Sequence, residues 1–350
     1  MVATIDDLGG WKLVLSQLLA GHELSAEVSR GAMSSLLSGE TSDVHIAAFL
    51  VALAAKGVAP AEVAAMVDAM LDAAEPLDLP DPSATVDIVG TGGSPLRQDR
   101  AFNISTTACF VVAGGGVPVC KHGNRKASSS SGSTDVLEAL GINVELDGPS
   151  TARCVADAGL GFAFARSFHP AMRHVGPVRA QLGVPTVFNI LGPMSHPGRV
   201  TRQVIGVADA ALAPVVAQVL AGRGAVRAMV VHGSDGLDEL TLSGPSTIHD
   251  VIDSTVSVRE VHPEDLGLEI TSVNDLGVGA PDANADVIRE ILRGGGGRRR
   301  DLVRLNAAAG FVVAGRCDDL STGLDLAAAS IDSGAAMDCL ERVIAVSNRP

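Results

Sequence analysis

The apolar positions of this chain recur with two different periods, and the change of period divides it. Over roughly the first 75 residues the spacing is helical. LGGWKLVLSQLLAG (8–21) ends at Gly21, and LSAEVSRGAMSSLLSGE (24–40) follows with Ser25 placed as an N-cap. SDVHIAAFLVALAAKG (42–57) reads as a third helix, capped by Ser42 and closed by Gly57, and APAEVAAMVDAMLDAA (59–74) as a fourth. Helices this apolar need partners on more than one side, supplied by a buried core or by a second subunit.

From TVDIVG (85–90) onward the pattern becomes alternating strand and helix. VDIVG, VPVC, NVEL and FAFA read as strands, and NISTTACFVVAGGG, TDVLEALG and STARCVADAG as the helices between them. RQVIGVA, LAPVVAQVLAGRG and AVRAMVVHG continue the series. Strands separated by helices of about ten residues predict a mostly parallel sheet covered by helices on both faces. Pro80-Asp81-Pro82 is the expected hinge between the two textures, and GGGGRRR (294–300) reads as a surface loop.

Composition narrows the function classes. Hydrophobic residues are 47% of the 350, but aromatics only 3%, so cores must be packed from Ala, Val, Leu and Ile. A net charge of −14 argues against nucleic acid or an anionic membrane as partner, and the few aromatics leave little for base stacking. The five cysteines show no CxxC spacing, which suits reduced thiols in a cytosol. AAFLVALAA is too short to span a membrane, and no basic start precedes an apolar block as in a signal peptide. A cytoplasmic protein is expected.

Against that acidic background, KHGNRKASSSSGSTD (121–135) packs three cations, an amide and five serines between a strand and a helix. Such a loop offers an anion backbone N–H groups, the positive end of a helix, hydroxyls and fixed charge. Three other strand-end segments complement it. GTGG (90–93) lets backbone approach a ligand, though a tight turn uses the same residues. NIST (103–106) places hydroxyls in a first helical turn, with Asn103 as a cap, and serves equally as a plain cap. HGSDGLDE (232–239) gathers Asp235, Asp238 and Glu239, either a solvated acidic turn or a seat for a hard cation such as magnesium. A fourth segment, 167–193, carries His169, Met172, Arg173, His174 and Arg179 on a helix-like stretch, where Arg179 could meet a carboxylate bidentately and the histidines could be ordinary core or surface residues. No GxSxG, HExxH or P-loop segment is present, which removes the commonest hydrolase, zincin and P-loop readings.

In order, GTGG, NIST, KHGNRxxSSxxGS, HxAM, PVRxxLGxxTxFNxLGP and DGLDE closely resemble the anthranilate phosphoribosyltransferases of tryptophan biosynthesis, a likeness that covers nearly the whole chain. The resemblance implies a small helical domain (1–80, with a later contribution from about 167–190), a larger α/β domain (81–350) and a homodimer through the helical domain. It implies transfer of the phosphoribosyl group of phosphoribosyl pyrophosphate (PRPP) to the amine of anthranilate, the second step of tryptophan synthesis from chorismate, with two magnesium ions. By matching positions, Gly90, Gly93, Ser94, Asn103, Ser105, Thr106, Lys121, His122, Gly123, Asn124, Arg125, Lys126, Ala127, Ser128, Ser129 and Ser133 would hold PRPP. Ser105, Asp238 and Glu239 would bind metal. Gly90, His122, Asn124, His169, Met172 and Arg179 would meet anthranilate. No residue is implied as acid or base; Lys121, Arg179 and the metal would stabilise the transition state. Two departures stand out: Ser94 occupies a position the family gives to Asp, and the loop after it is about three residues longer, with Ala101 in place of Thr and with Arg97 and Arg100 able to meet phosphate. The competing readings are a pyrimidine-nucleoside phosphorylase, and a degenerate paralogue that binds nucleic acid or protein.

Overall fold

The computed structural model describes residues 4–94, 102–124, 132–272 and 275–350. The chain opens with α1 (Gly10–Leu19), α2 (Ala26–Ser38), α3 (Asp43–Lys56) and α4 (Pro60–Asp72). Two serine caps set the starts of α2 and α3: Ser25 Oγ accepts from Val28 N at 3.2 Å, and Ser42 Oγ from His45 N at 3.4 Å. A buried ion pair ties the bundle together. Glu62 accepts from Lys56 Nζ, Leu24 N and Ala59 N, each at 2.8 Å, so its charge is matched and its lone pairs are used.

β1 (Val86–Gly90) leads to α5 (Ile104–Gly114), β2 (Val119–Gly123), α6 (Ser133–Ala139), α7 (Gly148–Ala158) and β3 (Leu160–Phe164). NVEL is not a strand. Its polar groups are taken locally and by the C-terminal helix, with Asn143 N donating to Ser347 Oγ (3.2 Å) and Glu145 N to Asn143 Oδ1 (3.1 Å). The place beside β2 belongs instead to β3, which pairs with it over five positions.

The short α8 (Ala165–Phe168), a 3₁₀ turn (Pro170–His174), α9 (Gly176–Leu182) and α10 (Phe188–Met194) come next. The segment expected as one helix-like stretch is thus broken, at Pro170 and again near Pro185. β4 (Arg202–Gly206), α11 (Ala213–Gly222) and β5 (Arg227–Gly233) follow, then β6 (Ser246–Ile252) and β7 (Thr255–Val261). The chain ends in α12 (Pro281–Leu292), α13 (Gly297–Val313), α14 (Leu320–Asp332) and α15 (Ala335–Ser347).

These elements form two compact units. The first comprises residues up to 76 together with 168–197, the second 77–167 together with 198–350. In the first, Glu75 N donates to Phe168 O (2.8 Å), stitching the returning segment to the end of the helical run. The second is built on a seven-stranded sheet in the order β3-β2-β1-β4-β5-β6-β7, parallel from β3 to β5, with helices flanking it. β6 and β7 are antiparallel additions at the far edge, outside the strands read from the sequence.

GGGGRRR is not a surface loop. Gly297 opens α13, and the three arginines occupy its first turn. Glycine inside the first turn is a poor helix former, and cations there oppose the helix dipole, but here the side chains are occupied. Arg299 Nε donates to Leu276 O (3.0 Å), and Arg300 pairs with Asp332 at 2.7 Å. Further along α13, Gly310 brings the helix close to the sheet. A Cβ there would lie 2.8 Å from Ile88 Cδ1 and 2.7 Å from Val112 Cγ2, so the core below the site is packed to contact.

Candidate active site

The chain runs outward from β1 through β2 to β3, then returns to place β4 on the other side of β1. Ligands of open parallel sheets bind at such a reversal, beyond the carboxyl ends of the strands. Here the ends are Gly90 and Gly206, and across them lies the DGLDE loop. A Cβ on Gly90 would sit 2.3 Å from Asp238 Oδ2, and one on Gly206 only 1.8 Å from Asp238 O. Two glycines therefore clear the space in which Asp238 is seated.

The carboxylates in that loop are held by backbone N–H groups. Asp238 is buried, and its Oδ2 accepts from Gly92 N at 2.8 Å. Glu239 is buried too, and its Oε1 accepts from Ser105 N at 3.3 Å, in the first turn of α5. Lys121, reaching from β2, donates from Nζ to Ser105 Oγ at 3.2 Å and to Ile88 O. One cation, one hydroxyl, two carboxylates and the amide-rich end of β1 thus converge within the second unit. Asp235 does not join them: it accepts from Leu237 N (3.1 Å) and Thr241 Oγ1 (2.7 Å), closing the turn instead.

Among the described residues no group of three or more His, Cys, Asp or Glu side chains forms a self-sufficient metal cage. Two carboxylates beside a serine hydroxyl are all-oxygen donors that leave most of a coordination shell to waters and phosphate oxygens, the donor set that fits magnesium.

The remaining donor-side candidates lie around the same strand ends. Gly93 has φ 82 and is exposed, while Ser94 is buried. Thr106 is buried in α5 beside Ser105. Asn103 stands at the cap position of α5 but makes no side-chain cap bond; its Nδ2 donates to Asn284 Oδ1 at 3.3 Å. His122 is buried on β2, with its backbone N donating to Asp87 Oδ1 at 3.1 Å. Gly123 ends β2, Asn124 is exposed just beyond it, and Ser133 Oγ donates to Asn124 O at 3.2 Å. A small hollow is lined by Lys121, Gly123, Ser133 and Phe164, among others. Arg125, Lys126, Ala127, Ser128 and Ser129 lie outside the described residues, as do Arg97, Arg100 and Ala101.

His169, Met172 and Arg179 belong to the first unit. His169 is buried, and its Nε2 lies 3.0 Å from Ser195 O, which fixes the proton on that nitrogen because a carbonyl only accepts. Burial pushes its pKa down to about 4, against the pull of that hydrogen bond, so the ring is neutral at physiological pH. Met172 N donates to His169 O (3.0 Å) in the 3₁₀ turn. Arg179, on α9, lies over the Phe188 ring at 5.1 Å and donates from Nη2 to Asn189 Oδ1 at 3.4 Å. Burial lowers its pKa from a value high enough to leave it charged.

A family model described as "Glycosyl transferase family, a/b domain" matches residues 82–337, and one described as "Glycosyl transferase family, helical bundle domain" matches 12–74. An anthranilate phosphoribosyltransferase of Thermomicrobium roseum is 47% identical over 338 residues, covering 96% of each chain. The crystal structure of anthranilate phosphoribosyltransferase from Thermus thermophilus superposes with TM-score 0.90 at 42% identity, covering 96% of this chain and 99% of that one. The enzyme from Saccharomyces cerevisiae in complex with PRPP and Mg superposes with TM-score 0.87 at 28% identity, covering 96% and 97%. The chain belongs to the anthranilate phosphoribosyltransferase family.

It is accordingly a glycosyltransferase-family enzyme, with that family's helical domain and α/β domain. These likenesses favour anthranilate phosphoribosyl transfer over nucleoside phosphorolysis. Several residues that shape the site escaped the sequence reading. Asp87 is fully buried beneath it, accepting from His122 N and, at 3.5 Å, from Gln203 Nε2. Burial raises its carboxyl to about 7, against the opposing pull of the nearby Lys121 ammonium. Gly206, within RQVIGVA, and Asn189, within the 167–193 segment, likewise shape the site without a role expected of them. Distance in sequence hid Asp87: it and His122 are 35 residues apart, and it and Gln203 116.

Proposed function

We propose that this protein transfers the phosphoribosyl group of PRPP to the amine of anthranilate, releasing pyrophosphate. The observation that carries the reading is the convergence of Gly90, Gly92, Ser105, Lys121, Asp238 and Glu239 at the strand reversal, in a chain of this family. The bond from the ribose C1 to the pyrophosphate oxygen breaks, the electron pair leaves with pyrophosphate, and the anthranilate nitrogen forms the new bond and gives up a proton to solvent. A weak aryl amine nucleophile needs orientation more than deprotonation, so no general base is required.

Lys121 and the first-turn amides of α5 would stabilise negative charge gathering on the leaving group. Gly90 and Gly93 would let backbone approach PRPP, with Asn103, Thr106, Ser133 and the 121–129 segment completing the contacts. Ser105, Asp238 and Glu239 would hold magnesium, which when bound supplies positive charge for the pyrophosphate oxygens; two ions are proposed. Arg179 would pair with the anthranilate carboxylate, Asn124 would also meet that substrate, and His169 and Met172 would flank it.

A homodimer through the helical unit is proposed too. Its support is apolar surface on α1 and α3, where Leu19 is 79% and Val44 76% exposed. The five cysteines are all free thiols, in keeping with a reducing cytoplasm. The decisive assay mixes protein, magnesium, PRPP and anthranilate and follows loss of anthranilate fluorescence. Activity that needs all three additions is expected; phosphate-dependent cleavage of thymidine or uridine without it would overturn the assignment.

A further inference from the structure

Two asparagines at the back of the site are buried and fully hydrogen-bonded. Asn306, on α13, is 1% exposed. Its Oδ1 accepts from Leu240 N at 3.0 Å, while its Nδ2 donates to Leu240 O and Leu302 O, both at 3.0 Å. It therefore grips both backbone polar groups of the residue that follows Glu239, as a neighbouring strand would. Asn284, on α12, is 0% exposed. Its Oδ1 accepts from Asn103 N (3.2 Å) and Asn103 Nδ2 (3.3 Å), and its Nδ2 donates to Gly279 O (3.1 Å) and Ala280 O (3.2 Å).

A buried amide costs stability unless all its groups are matched, and an apolar side chain fills a helix face without that demand. What these two amides do that an apolar residue cannot is fix a backbone segment in register. The segments they fix are the two that meet at the Ser105 N to Glu239 Oε1 contact. Asn306 holds the loop one residue beyond Glu239, and Asn284 holds the chain two residues before Ser105.

We propose that Asn306 and Asn284 are positioning residues for the magnesium–PRPP end of the reaction, setting the separation of Glu239 and Ser105 from opposite sides. This rests on the functional reading above. Neither asparagine is placed in contact with substrate; each acts through a loop. Partners that orient metal-binding groups typically matter about 10- to 100-fold in metal affinity. The expectation is thus a selective loss: weaker metal and donor binding, with the acceptor untouched.

The test uses Asn306→Ala, the polar but uncharged Asn306→Ser, which has a shorter side chain and cannot form the two-sided clamp on Leu240, and Asn284→Ala. Calorimetry measures Mn²⁺ and PRPP binding together, and steady-state kinetics give half-saturating magnesium and the anthranilate KM. Both Mn²⁺–PRPP affinity and magnesium half-saturation should worsen about tenfold or more, with the anthranilate KM within about twofold. Should an alanine variant fail to fold, Asn306→Ser supplies the same comparison. Parental Mn²⁺–PRPP binding in a folded variant would overturn the proposal, as would equal losses for donor and acceptor. The functional reading fails separately, if the parent protein shows no PRPP-dependent use of anthranilate.

Discussion

Replacing Gly206 by alanine should disable the site without touching a residue that meets substrate. The added Cβ would lie 1.8 Å from Asp238 O and 2.4 Å from Asp238 C, whereas real Cβ contacts stop near 3.0 Å. Something must therefore move by about 1.2 Å. β4 is not free to do so, because it pairs over five positions with β1 on one side and with β5 on the other. The DGLDE loop yields instead. Its contact from Gly92 N to Asp238 Oδ2, now 2.8 Å, would stretch beyond hydrogen-bond range. A lost hydrogen bond to a buried carboxylate costs about 1.5–3 kcal/mol, and a misplacement near 1 Å can cost about 100-fold in rate. Thermal unfolding and kcat/KM at saturating magnesium measure the two effects. Gly222→Ala is the control: a Cβ there meets nothing within 4 Å, and its φ is ordinary, so it should be neutral or stabilise by about 0.4–1 kcal/mol. If Gly206→Ala behaves like Gly222→Ala in both assays, the glycine-cleared seat for Asp238 is wrong.

Other perturbations separate the parts. Asp238→Asn combined with Glu239→Gln should remove about 99% of activity or more while circular dichroism stays unchanged; parental magnesium dependence would remove the metal assignment. Arg179→Ala should raise the anthranilate KM by about 10- to 100-fold, the worth of one charge-assisted contact, and leave the PRPP KM within about twofold; equal losses would make Arg179 a packing residue. His169 supplies a pH signature. Its folded pKa is depressed to about 4 while an unfolded histidine titrates near 6.5, so its stabilising contribution is present above pH 6.5 and is lost as pH falls toward 4. That contribution is roughly 3 kcal/mol, and denaturant melts from pH 7 to 4.5 should show His169→Gln with a shallower fall than the parent; identical slopes would refute it.

Local signals in the sequence were read most readily. Ser25 and Ser42 cap the helices expected of them because a cap and its target are three residues apart. The strand carrying Gly90 is a short apolar run buried in a parallel sheet, which composition marks, whereas β2 (Val119–Gly123) starts two residues into the expected VPVC strand and runs on through Lys121, His122 and Gly123, which were expected in the loop. β7 escaped because it is an exposed edge strand, whose polar positions break the apolar run. GGGGRRR misled because its helix start is held by carbonyls and a carboxylate contributed from other segments. The same reason hides Asn306, 66 residues from Leu240, and Asn284, 181 from Asn103. Motif residues can be recognised singly; the groups that hold them are visible only once the chain has folded.

The opening between β1 and β2 shows why such support is needed. β1 pairs with β4 over five positions but with β2 at Val86↔Val119 alone. Beyond that pair the ladder is replaced by side chains: Asp87 takes the His122 amide of β2, and Lys121 supplies the donor for Ile88 O of β1. The exchange keeps every one of those backbone groups satisfied, as burial demands. It also turns two strands into a fork, with a buried ammonium in its crotch next to Ser105. A surface lysine could offer the same charge, but water would screen it and its side chain would have to be ordered when the polyanion arrives. Lys121 has already lost that freedom, and its solvation is replaced by fixed oxygens. In a chain carrying a net charge of −14, which repels a polyanionic substrate at long range, such a preorganised local cation would let attraction dominate at contact if Lys121 meets PRPP as proposed.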